Sequence, residues 1–398
     1  MKILIADDDA MTRVALRKNL KKWGYEVVEA RDGAEAWKVF AEDDPPRLAI
    51  LDWMMPEVEG IEICGRLGGN KDFPFVYTIL LTSKTDKDDI VKALDSGAYD
   101  FLSKPVHAGE LRSRIAVGAR LVEAEDRLLE NAREIQKARE SAESANIKIM
   151  DSIRYANMIQ RSLLPNLDEL KKSFPNSFFI WMPKDIVGGD IIYTDSFENG
   201  FVFAVIDCTG HGVPGAFMTM IASSAMRRIT RDERCHQPNE ILKRLNFIVK
   251  TSLQQDTEYA LSDDGMDAAI CFVNSEKSSL TFAGSRLPLY CTHNGDITLI
   301  KGDRHSIGYK RSDLNFNFTN HSVRIEKGMS FYVATDGFPD QLGGKKNISF
   351  GKRRLQKLLI ENTKLPFDKQ PDILIEAFNA YKKDNERQDD LTVIGFGF

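Results

Sequence analysis

A seven-residue repeat in the middle of the chain is the feature that most restricts its fold. Apolar or small residues occupy every seventh position from Leu121 to Leu163, and neither glycine nor proline occurs in residues 119–164. Charged residues of both signs fill the flanks, so the pattern predicts one long helix with a coiled-coil seam. The second row of the seam, three positions after each of these residues, is mostly small and polar. We therefore expect two copies of the helix to pair only weakly, in a parallel homodimer. A single solvated helix, or one that lies on its own domains, is the alternative.

The composition excludes several classes of protein. The 398 residues are enough for two or three domains, and 42% hydrophobic with 28% charged residues is ordinary for a soluble globular chain. The formal net charge of −5 argues against direct DNA binding. No apolar run reaches the roughly 18–20 residues that cross a membrane, and acidic residues follow the first strand before a signal peptide could form. Five scattered cysteines without a Cys-x-x-Cys pair indicate neither disulfides nor zinc, so we expect a cytoplasmic protein.

Residues 1–118 alternate short apolar runs with helical patterns. The runs fall at residues 2–6, 27–29, 49–52, 78–82 and 100–103. This alternation predicts a doubly wound α/β domain around a five-stranded parallel sheet. In such a sheet the functional site lies where the carboxyl ends of the strands meet.

Polar residues stand at the ends of these predicted strands. In chain order they are Asp7 and Asp8 after the first strand, Asp52 ending the third, Thr82 ending the fourth and Lys104 after the fifth. Clustered carboxylates repel one another unless a hard divalent cation holds them, and oxygen ligands favour Mg²⁺. A carboxylate beside Mg²⁺ can attack phosphorus to form an acyl phosphate, whose new oxygens the lysine and threonine side chains would contact. One such aspartate alone is more simply a helix cap, but the set of five predicts a phosphoryl-accepting site.

In these residues and their order, residues 1–118 closely resemble the CheY-like receiver domain of two-component response regulators. The resemblance implies that Asp52 is the phosphoacceptor and that a cognate histidine kinase or phosphotransfer protein is the partner. It implies Mg²⁺ ligands at Asp7, Asp8, Asp52 and the carbonyl of Met54. It also implies catalytic roles for Thr82 and Lys104 and a switch role for the aromatic ring of Phe101.

Residues 165–398 carry acidic residues beside glycine or at strand boundaries. Strand-like runs and clustered helical segments predict an α+β layered fold here, after Pro165 ends the long helix. The acidic motifs are Val187-Gly188-Gly189-Asp190, Asp207-Cys208-Thr209-Gly210-His211-Gly212, Thr335-Asp336-Gly337 and Asp389-Asp390. Separated carboxylates without a histidine or cysteine set suit Mg²⁺ or Mn²⁺, and two such ions can drive water in line at a phosphoester. Each motif alone is equally typical of an ordinary turn.

From about residue 157 onward the chain resembles the SpoIIE-like branch of the PPM metal-dependent serine/threonine phosphatases. The motifs that carry the resemblance are Ile159-Gln160-Arg161-Ser162-Leu163-Leu164-Pro165, Gly210-His211-Gly212-Val213-Pro214-Gly215-Ala216 and the acidic motifs. The resemblance implies a layered α-β-β-α domain with two Mn²⁺ or Mg²⁺ ions. Its implied ligands are Asp190, Asp207, the carbonyl of Cys208, Asp336 and Asp389, with Asp390 as the fallback for the last. The chain departs from the family at Ile191-Ile192-Tyr193, where Phe-Tyr-Asp is usual, and at Asp340, where glutamate is usual.

Residues near these motifs leave alternatives open. Asp263, Asp264 and Asp267 either assist a third metal ion or form an exposed acidic loop. His211 either orients substrate or water, or stabilises its own turn. Lys184 is a candidate phosphate contact.

Together the segments predict a response regulator: a receiver at 1–118, a helical coiled-coil linker at 119–164 and a phosphatase at 165–398. Phosphorylation at Asp52 would change the packing of the fourth and fifth strands, and the helix that follows would carry the change. By resemblance, the substrate is a phosphorylated STAS-type anti-sigma factor antagonist. The alternative is a non-enzymatic, phosphorylation-switched adaptor that binds a partner through the phosphatase-like domain. A nucleotide cyclase does not fit, because Ile-Ile follows Gly188-Gly189-Asp190, and a DNA-binding output does not fit the net charge.

Overall fold

The computed structural model describes residues 1–69, 73–83, 87–166, 171 and 174–398. The chain divides into two compact units, Met1–Ala145 and Asn146–Phe398. No helix in these ranges is both long and apolar enough to cross a membrane.

The first unit is built on a five-stranded parallel sheet with the strand order β2-β1-β3-β4-β5. Its strands are β1 (Lys2–Ala6), β2 (Glu26–Ala30), β3 (Leu48–Asp52), β4 (Tyr77–Thr82) and β5 (Asp100–Ser103). The helices between them are α1 (Ala10–Lys22), α2 (Gly33–Phe40), α3 (Gly60–Gly69) and α4 (Lys87–Asp95). The central strands β1, β3 and β4 are apolar runs that are buried on both faces, as parallel strands covered by helices must be. The predicted doubly wound sheet is confirmed.

A single helix, α5 (Ala108–Leu163), follows the sheet and includes the predicted coiled-coil segment. It begins before the predicted start at residue 119, because its first turns complete the core of the first unit through Leu111 and Ile115. Gly118 permits this packing, since a Cβ there would lie 2.3 Å from the ring of Tyr77. Farther along, residues of the seam are exposed in the single chain, and Ile135 has 70% of its surface accessible.

The second unit packs two five-stranded sheets against each other. One sheet has the strand order β13-β10-β9-β8-β7, and the other has the order β12-β11-β14-β17-β6. The described strands are β6 (Ser177–Met182), β7 (Asp190–Phe197), β8 (Gly200–Cys208), β9 (Met266–Asn274), β10 (Ser279–Ser285), β11 (Leu289–His293), β12 (Asp296–Ile300), β13 (His321–Arg324), β14 (Ser330–Ala334), β15 (Leu342–Gly343), β16 (Ile348–Ser349) and β17 (Leu391–Gly397). The described helices are α6 (Gly212–Arg227), α7 (Pro238–Ser252), α8 (Lys352–Asn362) and α9 (Gln370–Lys382), with a π-helical turn at Arg228–Asp232.

The core of this unit lies in three apolar layers. Alternate residues of β8 face α6 and α7 on one side and the second sheet on the other, where Phe203 meets Phe396 at a ring-centroid distance of 4.6 Å. Beyond the second sheet, α8 and α9 bury Leu355 and Phe378 in a core with Tyr332. Each sheet therefore has two buried faces, and the predicted α-β-β-α arrangement is confirmed. The sequence did not predict β7, because a polar run at 194–196 interrupts it at the edge of its sheet, where such side chains reach solvent.

Candidate functional site

The first candidate site lies at the carboxyl ends of β1 and β3. Carboxylate oxygens of Asp7, Asp8 and Asp52 all lie within 4.8 Å of one another. The Nζ atom of Lys104 is 2.8 Å from Oδ2 of Asp7 and 2.9 Å from Oδ1 of Asp52. Burial raises the pKa of Asp52, the hydrogen bond from Lys104 lowers it, and the charges of Asp7 and Asp8 raise it. Converging carboxylates of this kind fit one divalent cation, which relieves their mutual repulsion.

The other predicted residues of this site lie on β4, on β5 and in the loop after β3. Thr82 is buried at the end of β4, and Phe101 lies half-buried in β5 against the core. The side chain of Met54 is exposed in the loop that follows Asp52. Gly60 keeps this loop close to the strand, because a Cβ there would lie 2.0 Å from the Asp52 carbonyl oxygen.

The second candidate site is built on the paired ends of β7, β8 and β9. Asp190 opens β7 and pairs with Asp207 near the end of β8, and Asp207 in turn pairs with Asp267 of β9. Directly opposed residues of antiparallel strands point to the same face of a sheet, so these three carboxylates share one face. Asp336 follows β14 and Asp389 precedes β17, and these two strands are neighbours in the other sheet.

The charges of these carboxylates act on one another and, together with burial, raise their pKa values. Burial, with contributions from the charges of Asp390 and Asp389, raises the pKa of Asp190 to about 8. Burial also raises the pKa of Asp207 well above its usual value, with contributions from Asp190 and Asp336. Burial and the charge of Asp389 raise the pKa of Asp336 to about 6. Such a cluster needs protons or divalent cations at neutral pH, and its oxygen donors suit Mg²⁺ or Mn²⁺.

The second cluster is wider than the first. Within the described ranges, the Asp7, Asp8 and Asp52 set is the one in which three ligand atoms all fall within 4.8 Å. Two-metal sites spread their ligands over ions about 3.5–4 Å apart. The carboxylates of the second cluster are therefore spread more widely than those of the first, and their oxygen donors fit divalent cations.

The two consecutive aspartates before β17 have different surroundings. The Asp390 carboxylate is buried and accepts hydrogen bonds from the backbone N–H groups of Lys184, at 2.6 Å, and Gly189, at 2.5 Å. Asp389 is only partly buried, and its charge raises the pKa of Asp336. Asp390 thus fixes the loop that leads into β7 and also raises the pKa of Asp190, whereas the charge of Asp389 acts on Asp190, Asp207 and Asp336.

Close backbone contacts bring the acidic loops together. A Cβ on Gly189 would lie 2.9 Å from the Cys208 carbonyl oxygen, so this approach requires glycine. The Thr335 hydroxyl donates a 2.8 Å hydrogen bond to Oδ2 of Asp190 and joins the two sheets at the site. These contacts place the Cys208 carbonyl, the predicted backbone ligand, against the loop that carries Asp190.

His211 and Lys184 lie together beside this cluster. Nδ1 of His211 is 2.7 Å from Oδ2 of Asp185, and Nε2 is 2.9 Å from Nζ of Lys184. His211 occupies the N-cap position of α6, but its side chain makes no capping hydrogen bond. The imidazole is therefore held by the 184–185 segment rather than by its own turn.

The residues considered for a third metal ion separate in the structure. Asp267 pairs with Asp207 and shares its face. Asp263 is exposed and accepts a 2.8 Å hydrogen bond from the backbone N–H of Lys310, while the Asp264 backbone N–H donates to Gln255 at 2.7 Å. Asp267 is thus part of the cluster, and Asp263 belongs to the surrounding loop.

Gln160 lies in the last turns of α5 and contacts the loop of residues 183–189 that precedes β7, which we call the acidic loop. The sequence assigned no role to this glutamine. It is 3% exposed, although its neighbours Ile159 and Arg161 are exposed. Its Nε2 donates to the Gly188 carbonyl at 2.6 Å and to Oγ1 of Thr219 at 2.9 Å, and its Oε1 accepts from the Gly188 N–H at 3.1 Å. No local signal marks this glutamine as buried, because its partners are 28 and 59 residues away.

Fold and sites together define a response regulator with a receiver domain and a PP2C-like output domain. The family model of the response regulator receiver domain matches residues 3–116, and that of stage II sporulation protein E (SpoIIE) matches residues 198–398. Because the second match covers half of the chain, the chain belongs to the SpoIIE family.

Several known proteins are similar to parts of this chain. The solved PP2C domain of SiaA from Pseudomonas aeruginosa is 32% identical with a TM-score of 0.57, and the match covers 64% of this chain and 98% of that domain. The response regulator MprA of Mycobacterium tuberculosis is 39% identical over 127 residues, which are 32% of this chain and 54% of MprA. The alkaline phosphatase synthesis transcriptional regulatory protein PhoP of Bacillus subtilis is 40% identical over 115 residues, 29% of this chain and 46% of PhoP. The chain thus spans about half the length of the curated relatives it matches.

Proposed function

We propose that phosphorylation of Asp52 controls a metal-dependent protein serine/threonine phosphatase in this chain. The observation that carries the proposal is the convergence of Asp190, Asp207, Asp336 and Asp389 from both sheets on one site. This cluster favours an enzyme over the adaptor alternative, because perturbed, mutually repelling carboxylates are typical of functional sites rather than of binding surfaces alone.

In the receiver, the chain itself supplies the nucleophile. The Mg²⁺ ligands would be Asp7, Asp8, Asp52 and the carbonyl of Met54. An Asp52 oxygen attacks the phosphorus of a phosphohistidine on the partner, and the new O–P bond forms as the N–P bond breaks. Lys104, already hydrogen-bonded to Asp52, is placed to pair with one phosphoryl oxygen. Thr82 is placed to donate to another, on the strand that neighbours Phe101.

In the phosphatase domain, side chains around the acidic cluster position the reacting groups. The ligands of two Mn²⁺ or Mg²⁺ ions would be Asp190, Asp207, Asp336, Asp389 and the carbonyl of Cys208. When bound, such ions lower the pKa of water and neutralise the phosphoryl group. As water attacks phosphorus, the bond to the serine or threonine oxygen breaks, and this oxygen takes the Nε2 proton of His211, whose Nδ1 is held by Asp185. Nε2 can carry that proton once Lys184, which lies 2.9 Å from it in the free protein, has turned to the phosphoryl oxygens. Lys184 beside it offers a positive charge to the phosphoryl oxygens.

The proposed control passes along α5, because this helix contacts functional elements near both of its ends. Near its start, Arg114 pairs with Asp100 at 3.1 Å, and Asp100 directly precedes Phe101 in β5. Near its end, Gln160 is hydrogen-bonded to Gly188 of the acidic loop. Repacking of β4 and β5 would move the start of the helix, and a change in helix register would move the acidic loop.

The family resemblance supports the remaining features of the proposal. The partners would be a cognate histidine kinase or phosphotransfer protein, and a phosphorylated STAS-type anti-sigma factor antagonist as substrate, in the cytoplasm. Two α5 helices would pair in a parallel homodimer, because seam residues such as Leu128 and Ile135 are 63% and 70% exposed in the single chain. Burying such side chains between two helices is favourable.

Hydrolysis of an aryl phosphate by the purified full chain tests the proposal. Turnover is measured with and without Mn²⁺, with and without beryllofluoride as a mimic of phosphorylated Asp52, and in an Asp207→Ala control. We expect Mn²⁺-dependent turnover that the control loses and that beryllofluoride changes. Absence of turnover with both the aryl phosphate and a phosphoserine peptide would favour the adaptor alternative.

A further inference from the structure

A polar cavity of about 300 Å³ lies beside the phosphatase carboxylates. Its lining residues are Arg286, Arg304, His305, Ser306, Arg311 and Ser312. A second cavity, of about 430 Å³, shares two of these arginines and adds Lys301 and Lys352. The whole chain has a net charge of −5, so this concentration of cations is a local feature.

Two interactions place these cations next to the carboxylate cluster. Nε of Arg286 is 3.6 Å from Oδ2 of Asp267, whose strand partner is Asp207. On the other side, the charge of Lys352 lowers the pKa of Asp336. Guanidinium and ammonium groups only donate hydrogen bonds, so they border the metal-ligand cluster without belonging to it.

Hydrogen bonds and ring stacking fix the walls of the arginine cavity. The Ser285 hydroxyl donates to the His305 carbonyl at 2.7 Å, and the Ser312 hydroxyl donates to the Ser306 carbonyl at 2.7 Å. The His305 ring stacks on Phe316 with the ring centroids 4.2 Å apart. These contacts fix the backbone from which the arginine side chains extend, and a loop that is ordered before a ligand arrives lowers the entropy cost of binding.

Arg286 also adopts a backbone conformation that is unusual for a long side chain. Its φ is 58°, in the left-handed region, and its N–H donates to the Asp303 carbonyl at 2.8 Å, which holds the turn. The turn brings a guanidinium nitrogen to 3.4 Å from Oγ of Ser306 in the cavity wall. Backbone strain of this kind concentrates at ligand-binding sites, where the position of the side chain matters.

Arg304 and Arg311 lie toward solvent at this cavity, and the charge of Arg311 also lowers the pKa of Asp267. Neither arginine forms an ion pair within the part of the chain that the structure describes. Arg311 stacks instead over the ring of Tyr309, at 5.9 Å from its centroid. Guanidinium groups brought together at a concave site repel one another and are stabilised by an anion that bridges them.

We propose that this cavity binds an anionic side chain that flanks the phosphorylated residue of the protein substrate. The group is a carboxylate or a second phosphate, and Arg304 and Arg311 recognise it. The inference rests on the proposed phosphatase function and assigns its substrate class, an acidic phosphoprotein. The scissile phosphoryl group itself belongs at the carboxylate cluster, on the other side of Asp267. A local cationic site lets an acidic chain bind an acidic partner that its net charge repels.

Three phosphoserine peptides of equal length test the proposal. They carry glutamate, glutamine or a second phosphoserine on both sides of the scissile residue, and kcat/KM is measured with Mn²⁺. The proteins are the wild type, an Arg304→Gln/Arg311→Gln double variant, and Arg324→Gln, which removes an exposed arginine on β13 as a matched control.

We expect the wild type and the control to prefer the glutamate peptide to the glutamine peptide by about tenfold. The double variant should lose this preference through a higher KM for the charged peptides, and an Arg304→Lys/Arg311→Lys variant should keep part of it. The better of the two charged peptides identifies the ligand as a carboxylate or a phosphate.

Binding of the same peptides, labelled with a fluorophore, to Asp207→Asn protein gives a readout that does not need turnover. The preference for charged peptides should appear in Kd and weaken in about 0.5 M NaCl, because salt screens exposed charges. No preference in the wild type would overturn the proposal. Equal losses on all three peptides in the double variant would also overturn it, since the cavity would then hold the scissile phosphate. Absence of hydrolysis of every peptide and of the aryl phosphate would instead contradict the phosphatase function, and the binding assay would still test the cavity.

Discussion

The side-chain amide of Gln160 pairs with both backbone groups of Gly188, donating to the carbonyl at 2.6 Å and accepting from the N–H at 3.1 Å. The same Nε2 donates to Thr219 of α6 at 2.9 Å. The last turns of α5, the acidic loop and α6 therefore meet at one buried side chain. A helix that shifted at this point would pull directly on the loop that opens β7.

Replacing Gln160 with alanine should weaken metal binding by the acidic loop. The change leaves two backbone groups of Gly188 without their partner, and an unsatisfied buried polar group costs about 1–3 kcal/mol. We expect the Mn²⁺ concentration for half-maximal aryl phosphate hydrolysis to rise by about 10- to 100-fold, as when outer contacts of a metal site are removed. Arg161→Ala, at the exposed neighbouring position, is the control. The same Mn²⁺ dependence in both variants would show that Gln160 does not support the site.

Without divalent cations, the phosphatase carboxylates should make the protein less stable as the pH rises. The pKa is raised to about 8 for Asp190 and to about 6 for Asp336 by burial and neighbouring charges, above the value of about 4 for an unfolded aspartate. Between these values the folded state binds more protons than the unfolded state, so the free energy of unfolding falls as pH rises. In EDTA, Tm should therefore fall between about pH 5 and about pH 8.

The receiver should also become less stable as the pH rises, because burial raises the pKa of Asp52 as well. Thermal unfolding is therefore measured in an Asp52→Asn background, in which Asp207→Asn should make the fall in Tm with pH shallower. Added Mn²⁺ should raise Tm most at the high end of the range, since metal ligands must be deprotonated. A Tm in EDTA that does not depend on pH would contradict this account of the cluster.

His211→Asn should slow the hydrolysis of a phosphoserine peptide far more than that of a nitrophenyl phosphate. A serine alkoxide needs a proton as it leaves, whereas nitrophenolate leaves without one, and general acid catalysis contributes about 10²–10⁴-fold. Asp185→Asn, which removes the partner of Nδ1, should give a smaller loss with the same dependence on the leaving group. Equal losses of kcat on both substrates in His211→Asn would assign the imidazole to binding or loop structure instead.

Sequence patterns predicted the features that depend on order along the chain. Short apolar runs placed Asp7 and Asp52 at strand ends, and the seven-residue repeat predicted most of α5. The pattern failed for β7, because an edge strand tolerates the polar residues Thr194 and Asp195, which break the apolar run. The predicted start of α5 was too late in the chain. Its first turns pack on the core of the parallel sheet, so their apolar residues are not part of the seven-residue repeat.

Contacts between distant segments were beyond sequence reasoning. Asp389 and Asp390 are consecutive, so the sequence could not tell their roles apart. The folded structure separates them, because Asp390 accepts hydrogen bonds from the backbone N–H groups of Lys184 and Gly189. The arginine cavity is likewise assembled by a folded loop, with no periodic signal between Arg286 and Arg311. Such roles depend on which loops meet, and that is a property of the tertiary fold.

Asp52→Asn should abolish phosphorylation of the receiver and the response of the phosphatase to beryllofluoride. The reason is that Asp52, at the end of β3, is the proposed nucleophile, and an amide at this position cannot attack phosphorus. Incorporation is measured as a mass increase after incubation with acetyl phosphate and Mg²⁺. Asp95→Asn, at an exposed position of α4, is the control and should be phosphorylated like the wild type. Full incorporation in Asp52→Asn would move the phosphoacceptor to another residue.

Inserting two or three residues after Ala138 should uncouple the phosphatase from the receiver. Each added residue turns the following helix by about 100°, so either insertion places the seam after Ala138 on a different face. We expect Mn²⁺-dependent basal turnover to remain and its response to beryllofluoride to disappear. A seven-residue insertion with the same heptad pattern keeps the seam on one face and should preserve the response, which separates helix register from helix length. If the response survives the two-residue insertion, control does not pass through the register of α5, and a different contact must carry the signal from β4 and β5.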